Sequence, residues 1–201
     1  MLNKITFSKP YQIAIIGGGQ LGKMLTVAAK QMGFHVTILD PTPASPAAQV
    51  ADRQVVASFT DGNAIQSLAK EVDVVTYEFE HINCCSLLAL EEDGYKVFPT
   101  PKVLEVIQNK LLQKKSLEKE GIPVPSFREI GGESEEEMKE AGDLFGYPFL
   151  LKACTGGYDG KGNYLVKTPN EIAAAKEFLG KRKLMAEKFV PYICEISVMV
   201  A

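Results

Sequence analysis

The chain is 201 residues long, 46% hydrophobic and 23% charged, an ordinary globular composition with enough apolar residues for one or two cores. Its 17 glycines and 11 prolines exclude a wholly low-complexity chain. With 22 basic and 25 acidic side chains, a net charge of -3, there is no electrostatic case for nucleic acid or an anionic membrane as partner.

The start carries Lys4, Lys9 and Pro10 before a short apolar run, which does not read as a signal peptide. No stretch reaches the roughly 18 apolar residues of a membrane helix. Cys84, Cys85, Cys154 and Cys194 form no C-x-x-C pair and lack a nearby histidine set. They read as reduced thiols, and the expectation is a soluble, cytoplasmic protein.

Ile13-Ala14-Ile15-Ile16 predicts a buried strand of a parallel sheet, ending at Gly17-Gly18-Gly19. Leu21, Met24, Leu25, Ala28 and Met32 follow at helical spacing, with Gly33 as a stop. Val36 to Leu39 predicts the second strand, closed by Asp40-Pro41. Gln54 to Ala57 reads as a weak strand, Ala64 to Lys70 as a helix and Val72 to Thr76 as a strong strand. A helix over Asn83 to Glu92, capped by Asn83, precedes a strand over Lys96 to Phe98. Thr100-Pro101 has the form of a cap and first helical residue. Strand and helix alternate to residue 100, the pattern of a doubly wound α/β unit.

Beyond residue 100 the texture changes. Leu111 to Glu120 is a lysine-rich helix stopped by Gly121, followed by the extended Ile122-Pro123-Val124-Pro125. Ser134 and Glu137 form a capping box for an acidic helix. Strands are expected over Phe149 to Ala153, Tyr164 to Val166 and Leu184 to Lys188, with a helix over Asn170 to Leu179. Glu195 to Val200 alternates strictly, as a half-buried strand would.

Gly17-Gly18-Gly19-Gln20-Leu21-Gly22 fits G-x-G-x-x-G between a strand and a helix, with Asp40 ending the next strand. The pattern fits a dinucleotide, or equally a tight turn in a Rossmann-like domain that binds something else. Thr155 to Gly162 holds four glycines in eight residues and the lone Lys161, so its amides could wrap a polyphosphate. Lys152, at the end of a buried strand, must reach solvent or neutralise an anion. Glu187-Lys188-Phe189-Val190 ends a strand, whose free backbone groups suit a purine edge, and Glu195 could accept from ribose hydroxyls, although in isolation either glutamate reads as a solvated strand-end charge. Glu78 and Glu80 follow the strongest strand at its carboxyl end, where ligands of open α/β sheets sit.

Read in order, Gly17 to Gly22, Tyr77 to Glu80, Lys110 to Lys114, Lys152 to Gly162 and Glu187 to Glu195 resemble the ATP-grasp ligases. Within them the chain is most similar to the 5-(carboxyamino)imidazole ribonucleotide synthetase family of purine biosynthesis. The resemblance implies an α/β fold, with a Rossmann-like pre-ATP-grasp domain over residues 1–108. The first part of an α+β ATP-grasp domain would follow over residues 109–201. It implies ATP-dependent carboxylation of aminoimidazole ribonucleotide by bicarbonate, through carboxyphosphate attacked by the exocyclic amine. By that resemblance Lys110 and Lys152 would touch the ATP phosphates. Gly157, Tyr158, Asp159, Gly160, Lys161, Gly162 and Asn163 would close over them. Glu187, Lys188, Phe189 and Val190 would hold adenine, and Glu195 the ribose. Gln20, Leu21, Glu80 and Tyr158 would take the ribonucleotide, with Asp159 and Lys161 as the catalytic pair.

The chain departs from the family pattern at Lys110, where arginine is common, and at His81, where asparagine is usual. The family also continues well beyond Glu195 to Val200, and its magnesium ligands belong to that continuation. The expectation is therefore a chain truncated at its C-terminus, inactive alone, and compatible with a homodimer. Two alternatives stand beside this reading: an NAD(P)-binding oxidoreductase domain, and a nucleotide-binding module without catalysis.

Overall fold

Ile13-Ala14-Ile15-Ile16 runs through the centre of the first sheet because both of its faces are covered. Ala14 and Ile16 pack on one side and Ile15 on the other, all essentially inaccessible. The structure, a computed structural model, describes residues 9–131, 134–157 and 162–198. The chain forms two compact units, Met1–Glu105 and Val106–Ala201.

In the first unit, β1 (Gln12–Ile16), β2 (His35–Leu39), β3 (Arg53–Val55), β4 (Val74–Tyr77) and β5 (Val97–Phe98) form a parallel sheet in the order β3-β2-β1-β4-β5. The order reverses at β1, so the carboxyl ends of β1 and β4 flank the crevice where ligands of such sheets bind. α2 (Gly62–Ala69) and α3 (Cys84–Glu92) bury Ile65, Leu68, Leu87 and Leu90 against Ala14, Ile16 and Val75. Each such aliphatic side chain contributes about 1.5–3 kcal/mol. The Asp61 side chain accepts from the Ala64 amide and that of Asn83 from the Ser86 amide, which fixes where these two helices begin.

α1 (Gln20–Gln31) packs differently. It buries Gly22 and Thr26, while Leu21, Met24, Leu25 and Met32 of the periodic stripe face outward. A Cβ on Gly22 would lie 2.2 Å from the Gly17 carbonyl oxygen, so only glycine lets the helix start this close to the turn.

α4 (Pro101–Gln108) begins at the proline read from the sequence, and the division between the units falls inside it. The Thr100 hydroxyl donates to Glu91 Oε1 at 2.8 Å, so it serves α3 rather than capping α4.

In the second unit, β6 (Phe127–Ile130), β7 (Phe149–Ala153), β8 (Asn163–Val166) and β9 (Leu184–Lys188) form an antiparallel sheet in the order β6-β9-β7-β8. Phe149, Leu151, Leu184 and Ala186 face α6 (Glu135–Phe145) and α7 (Ile172–Leu179), packing on Met138, Ala141, Ile172 and Leu179. With a side-chain period of two, Lys152, Met185 and Glu187 turn to the opposite face. There α5 (Lys110–Lys119) contributes Leu111, which packs with Met185, Cys154 and Phe127.

Three expectations are corrected. Phe127-Arg128-Glu129-Ile130, unassigned by sequence, is a strand because β9 pairs with it, Phe127 opposite Glu187. The capping box is only half formed: Ser134 Oγ accepts from Glu137 N at 3.2 Å, but the Glu137 carboxylate accepts from the Gly131 amide instead. Glu195 to Val198 pairs with no strand among the described residues, and Ile196 and Val198 are 82% and 77% exposed. Alternation marks a strand only where a ladder partner satisfies the backbone.

Candidate functional site

The site residues expected from the sequence fall into two sets, one in each unit. In the first, the turn after β1 is built around carboxylates. Asp40, buried at the end of β2, accepts from the Gly18 amide through Oδ2 and from the Thr42 amide through Oδ1, both at 2.8 Å. Glu78, just beyond β4, accepts from the Gly19 amide, and a Cβ on Gly17 (φ +111°) would lie 2.5 Å from its Cγ. Burial raises the Glu78 carboxyl above its ordinary value, the Gly19 bond lowers it, and the neighbouring Asp40 charge adds to the rise.

Asp40 is therefore engaged by the loop, with an amide on each oxygen and its side chain buried. Two glycine amides that a dinucleotide's pyrophosphate would need are already taken. This geometry disfavours the NAD(P) reading. Gln20 and Leu21 are exposed at the start of α1, and Glu80, half-buried, lies 3.4 Å from His81 Nε2. Three of the four proposed ribonucleotide ligands thus stand at the carboxyl edge of the sheet.

In the second unit the functional side chains converge on the sheet face opposite the core. Lys152 pairs in register with Asn163 and Met185, and Leu150 with Glu187. Glu187, only 4% exposed, receives Lys152 Nζ at 2.6 Å on Oε1 and has Lys114 Nζ 2.7 Å from Oε2. Each carboxylate oxygen thus faces one ammonium group. Burial pushes the Glu187 carboxyl up, but the bonds and charges of Lys114 and Lys152 outweigh it and leave it below the ordinary value.

Lys110 begins α5, where Asn109 caps the helix and the Lys110 amide donates to the Cys154 carbonyl at 2.8 Å. Its ammonium lies 3.4 Å from Asn163 Oδ1. Burial, then the Lys152 and Arg182 charges, lowers its pKa below the lysine value. Gly157 and Gly162 approach so closely that a Cβ on Gly157 would stand 2.9 Å from Gly162 Cα and 3.2 Å from Lys110 Nζ. The glycines there let two backbones and a lysine share one space.

Two adjoining cavities result. One, about 180 Å³, is lined by Lys110, Gln113, Lys114, Lys152, Asn163 and Met185. The other, about 430 Å³, includes Leu150, Leu165, Glu187, Phe189, Val190 and Glu195 in its lining. They share Lys152 and Asn163. A cationic chamber beside a cleft lined by Leu150, Leu165, Phe189 and Val190 together with Glu187 and Glu195 suits a polyphosphate carrying a flat base and a sugar. Lys188 is exposed, and its amide donates to the Ser126 carbonyl at 2.8 Å. Tyr158, Asp159, Gly160 and Lys161 lie outside the described residues.

Lys114 lies in the lysine-rich helix read from the sequence, which gave it no role of its own. Its signal was its position one turn after Lys110 on the same helix face. Among the described residues no group of three His, Cys, Asp or Glu side chains could hold a metal ion, so they offer no cage for magnesium. No helix among them is long and apolar enough to cross a membrane.

Residues 11–108 match the ribonucleotide synthetase preATP-grasp domain and residues 115–201 the ATP-grasp domain. The chain is 38% identical to N5-carboxyaminoimidazole ribonucleotide synthase of Bacillus subtilis, over 94% of this chain and 49% of that protein. The solved N5-carboxyaminoimidazole ribonucleotide synthetase of Thermotoga maritima is 44% identical, with a TM-score of 0.80 over 90% of this chain and 46% of that one. The chain is similar to this family in both of its units. The Aspergillus clavatus N5-carboxyaminoimidazole synthase, solved with ADP and 5-aminoimidazole ribonucleotide, is 37% identical, with a TM-score of 0.83 over 90% of this chain and 46% of that one. Phosphoribosylaminoimidazole carboxylase of Schizosaccharomyces pombe is 44% identical over 96% of this chain and 35% of its own length. The chain thus spans between about a third and a half of these family members. An ATP-grasp ligase fold with a pre-ATP-grasp unit is what its two sheets represent.

Proposed function

We propose that this chain supplies the nucleotide grip and the substrate edge of an enzyme that carboxylates 5-aminoimidazole ribonucleotide at the expense of ATP. The observation that carries the reading is the chamber of Lys110, Lys114 and Lys152 opening beside the Phe189-Val190-Glu195 cleft. Three ammonium groups against one carboxylate leave a net positive chamber for phosphates. The end of β9 offers backbone groups to adenine, and Glu195 offers its carboxylate to the ribose hydroxyls.

In the first unit, Gln20, Leu21 and Glu80 take the ribonucleotide. Bicarbonate would accept the terminal phosphoryl group of ATP to give carboxyphosphate, with ADP leaving. The exocyclic amine then attacks the carboxyl carbon, losing a proton as phosphate departs. Asp159 and Lys161 are the proposed catalytic groups, with Tyr158 a fourth ribonucleotide ligand and Gly160 a phosphate-binding residue. The domain boundary proposed for this division of labour is residue 108, and a homodimer is the proposed assembly.

The test uses the complete enzyme. Glu80→Ala and Gln20→Ala should raise the KM for the ribonucleotide and spare that for ATP, read by phosphate release. A selective effect on ATP would reverse the assignment of the two sites.

A further inference from the structure

Glu187 was expected at the purine, and it does line the cleft, but its carboxylate is engaged by lysines. Both oxygens are directed at ammonium groups, Oε1 at Lys152 and Oε2 at Lys114, and its accessibility is 4%. Lys114 is itself largely enclosed, with its side chain 16% exposed. A lysine stem has four rotatable bonds and loses about 2 kcal/mol of rotamer freedom when fixed. A carboxylate that holds the ammonium beforehand removes much of that cost from the binding step.

We propose that Glu187 is a positioning residue that holds Lys152 toward the phosphate chamber, and that Lys114 is the anchor that holds Glu187. This rests on the nucleotide reading above and assigns Lys114 a part in it. Lys152 has three donors, of which one is spent on Glu187 Oε1 and two remain for phosphate oxygens. Lys114 keeps the second carboxylate oxygen neutralised, so Glu187 need not follow Lys152 when an anion arrives. Recognition of the base is left to the backbone after β9.

The charge makes this separable from simple electrostatics. Removing a carboxylate beside the chamber should by Coulomb's law tighten polyphosphate binding, whereas removing a positioning group should weaken it. The experiment measures displacement of a fluorescent ATP analogue from the full chain by ATP, inorganic tripolyphosphate and adenosine, with thermal unfolding to check that each variant is folded. Glu187→Gln should weaken ATP and tripolyphosphate about tenfold, the loss of one charge-assisted contact, and leave adenosine within about twofold. Lys114→Met should do the same alone and add little in the Glu187→Gln background. Glu187→Asp keeps the charge but cannot span both lysines, and should weaken tripolyphosphate as well. It serves if Glu187→Gln does not fold.

Tighter or unchanged tripolyphosphate binding in these variants would overturn the proposal. So would a loss confined to adenosine, or a wild-type chain that binds ATP but not tripolyphosphate. A wild-type chain that fails to bind the ATP analogue would instead overturn the nucleotide reading on which it rests.

Discussion

The backbone amide of Gly18 donates to Asp40 Oδ2 at 2.8 Å, joining the ends of two neighbouring parallel strands through a buried charge. The same carboxylate receives the Thr42 amide at 2.8 Å. Asp40→Ala leaves both donors without their partner and should cost about 1–3 kcal/mol. A unit of this size should then melt roughly 4–8 °C lower per kcal/mol lost. Because Asp40 is spent on the turn, NADH fluorescence should not change on mixing with the wild-type chain. Micromolar quenching would contradict the assignment of this turn.

Gly22→Ala and Gly33→Ala test the approach of α1 to the turn. At Gly22 the new methyl meets backbone, the Gly17 carbonyl oxygen at 2.2 Å, and the helix must move. Overpacking of this kind costs about 1–3 kcal/mol. At Gly33 nothing lies within 4 Å, and only the positive φ of +83° opposes the change, at about 1 kcal/mol. Denaturant melts should rank Gly22→Ala as the more damaging.

Glu78 gives a pH dependence of definite sign. Its carboxyl is raised when folded, so the native state holds the proton more tightly than the unfolded chain. Its contribution to stability is present in acid and is lost as pH rises through the folded value. Glu78→Gln retains an acceptor for the Gly19 amide and should flatten that loss. Urea midpoints measured on both sides of the carboxylate range would reveal it.

Lys152→Ala should weaken ATP binding and also destabilise the second unit, since it leaves buried Glu187 with Lys114 alone. About 1–3 kcal/mol is expected for the broken pair. Glu187 has a lowered carboxyl, so its stabilisation is present above 4.5, the ordinary value, and disappears as pH falls through the folded value. Adding Glu187→Gln to Lys152→Ala should restore part of the stability at neutral pH and none of the binding.

Lys110 should make nucleotide affinity fall on the alkaline side earlier than an ordinary lysine would. Burial and the Lys152 and Arg182 charges lower its pKa, and phosphate binds its protonated form. Lys110→Arg keeps its charge throughout, so the alkaline fall attributed to Lys110 should disappear in titrations of ADP against pH.

Much of this was readable from local chemistry. β1, β7 and β9 announced themselves as short apolar runs, and Asn83 marked its helix through a side chain that can accept an amide. β6 was hidden because Phe127-Arg128-Glu129-Ile130 has little apolar character of its own, and only its partner makes it a strand. The helical stripe of α1 was visible, but not which face packs, because Gly22 and Thr26 bring the helix close by being small. The cluster at Glu187 needed the register of two strands and one helix, and no spacing along the chain displays that.

The strand order also governs when each unit can form as the chain is made. The first sheet grows outward from β1, adding β2 and β3 on one side and then β4 and β5 on the other. The second has its last strand, β9, between β6 and β7, so β6 has no neighbour until Leu184–Lys188 has been synthesised. Its apolar face and open strand edges are exposed to the ribosome's surroundings until that moment, a delay inherent to non-local pairing. Release of a nascent chain before Leu184 would leave only the β7–β8 pair of the second sheet, with β6 unpaired and Glu187's hold on both lysines lost.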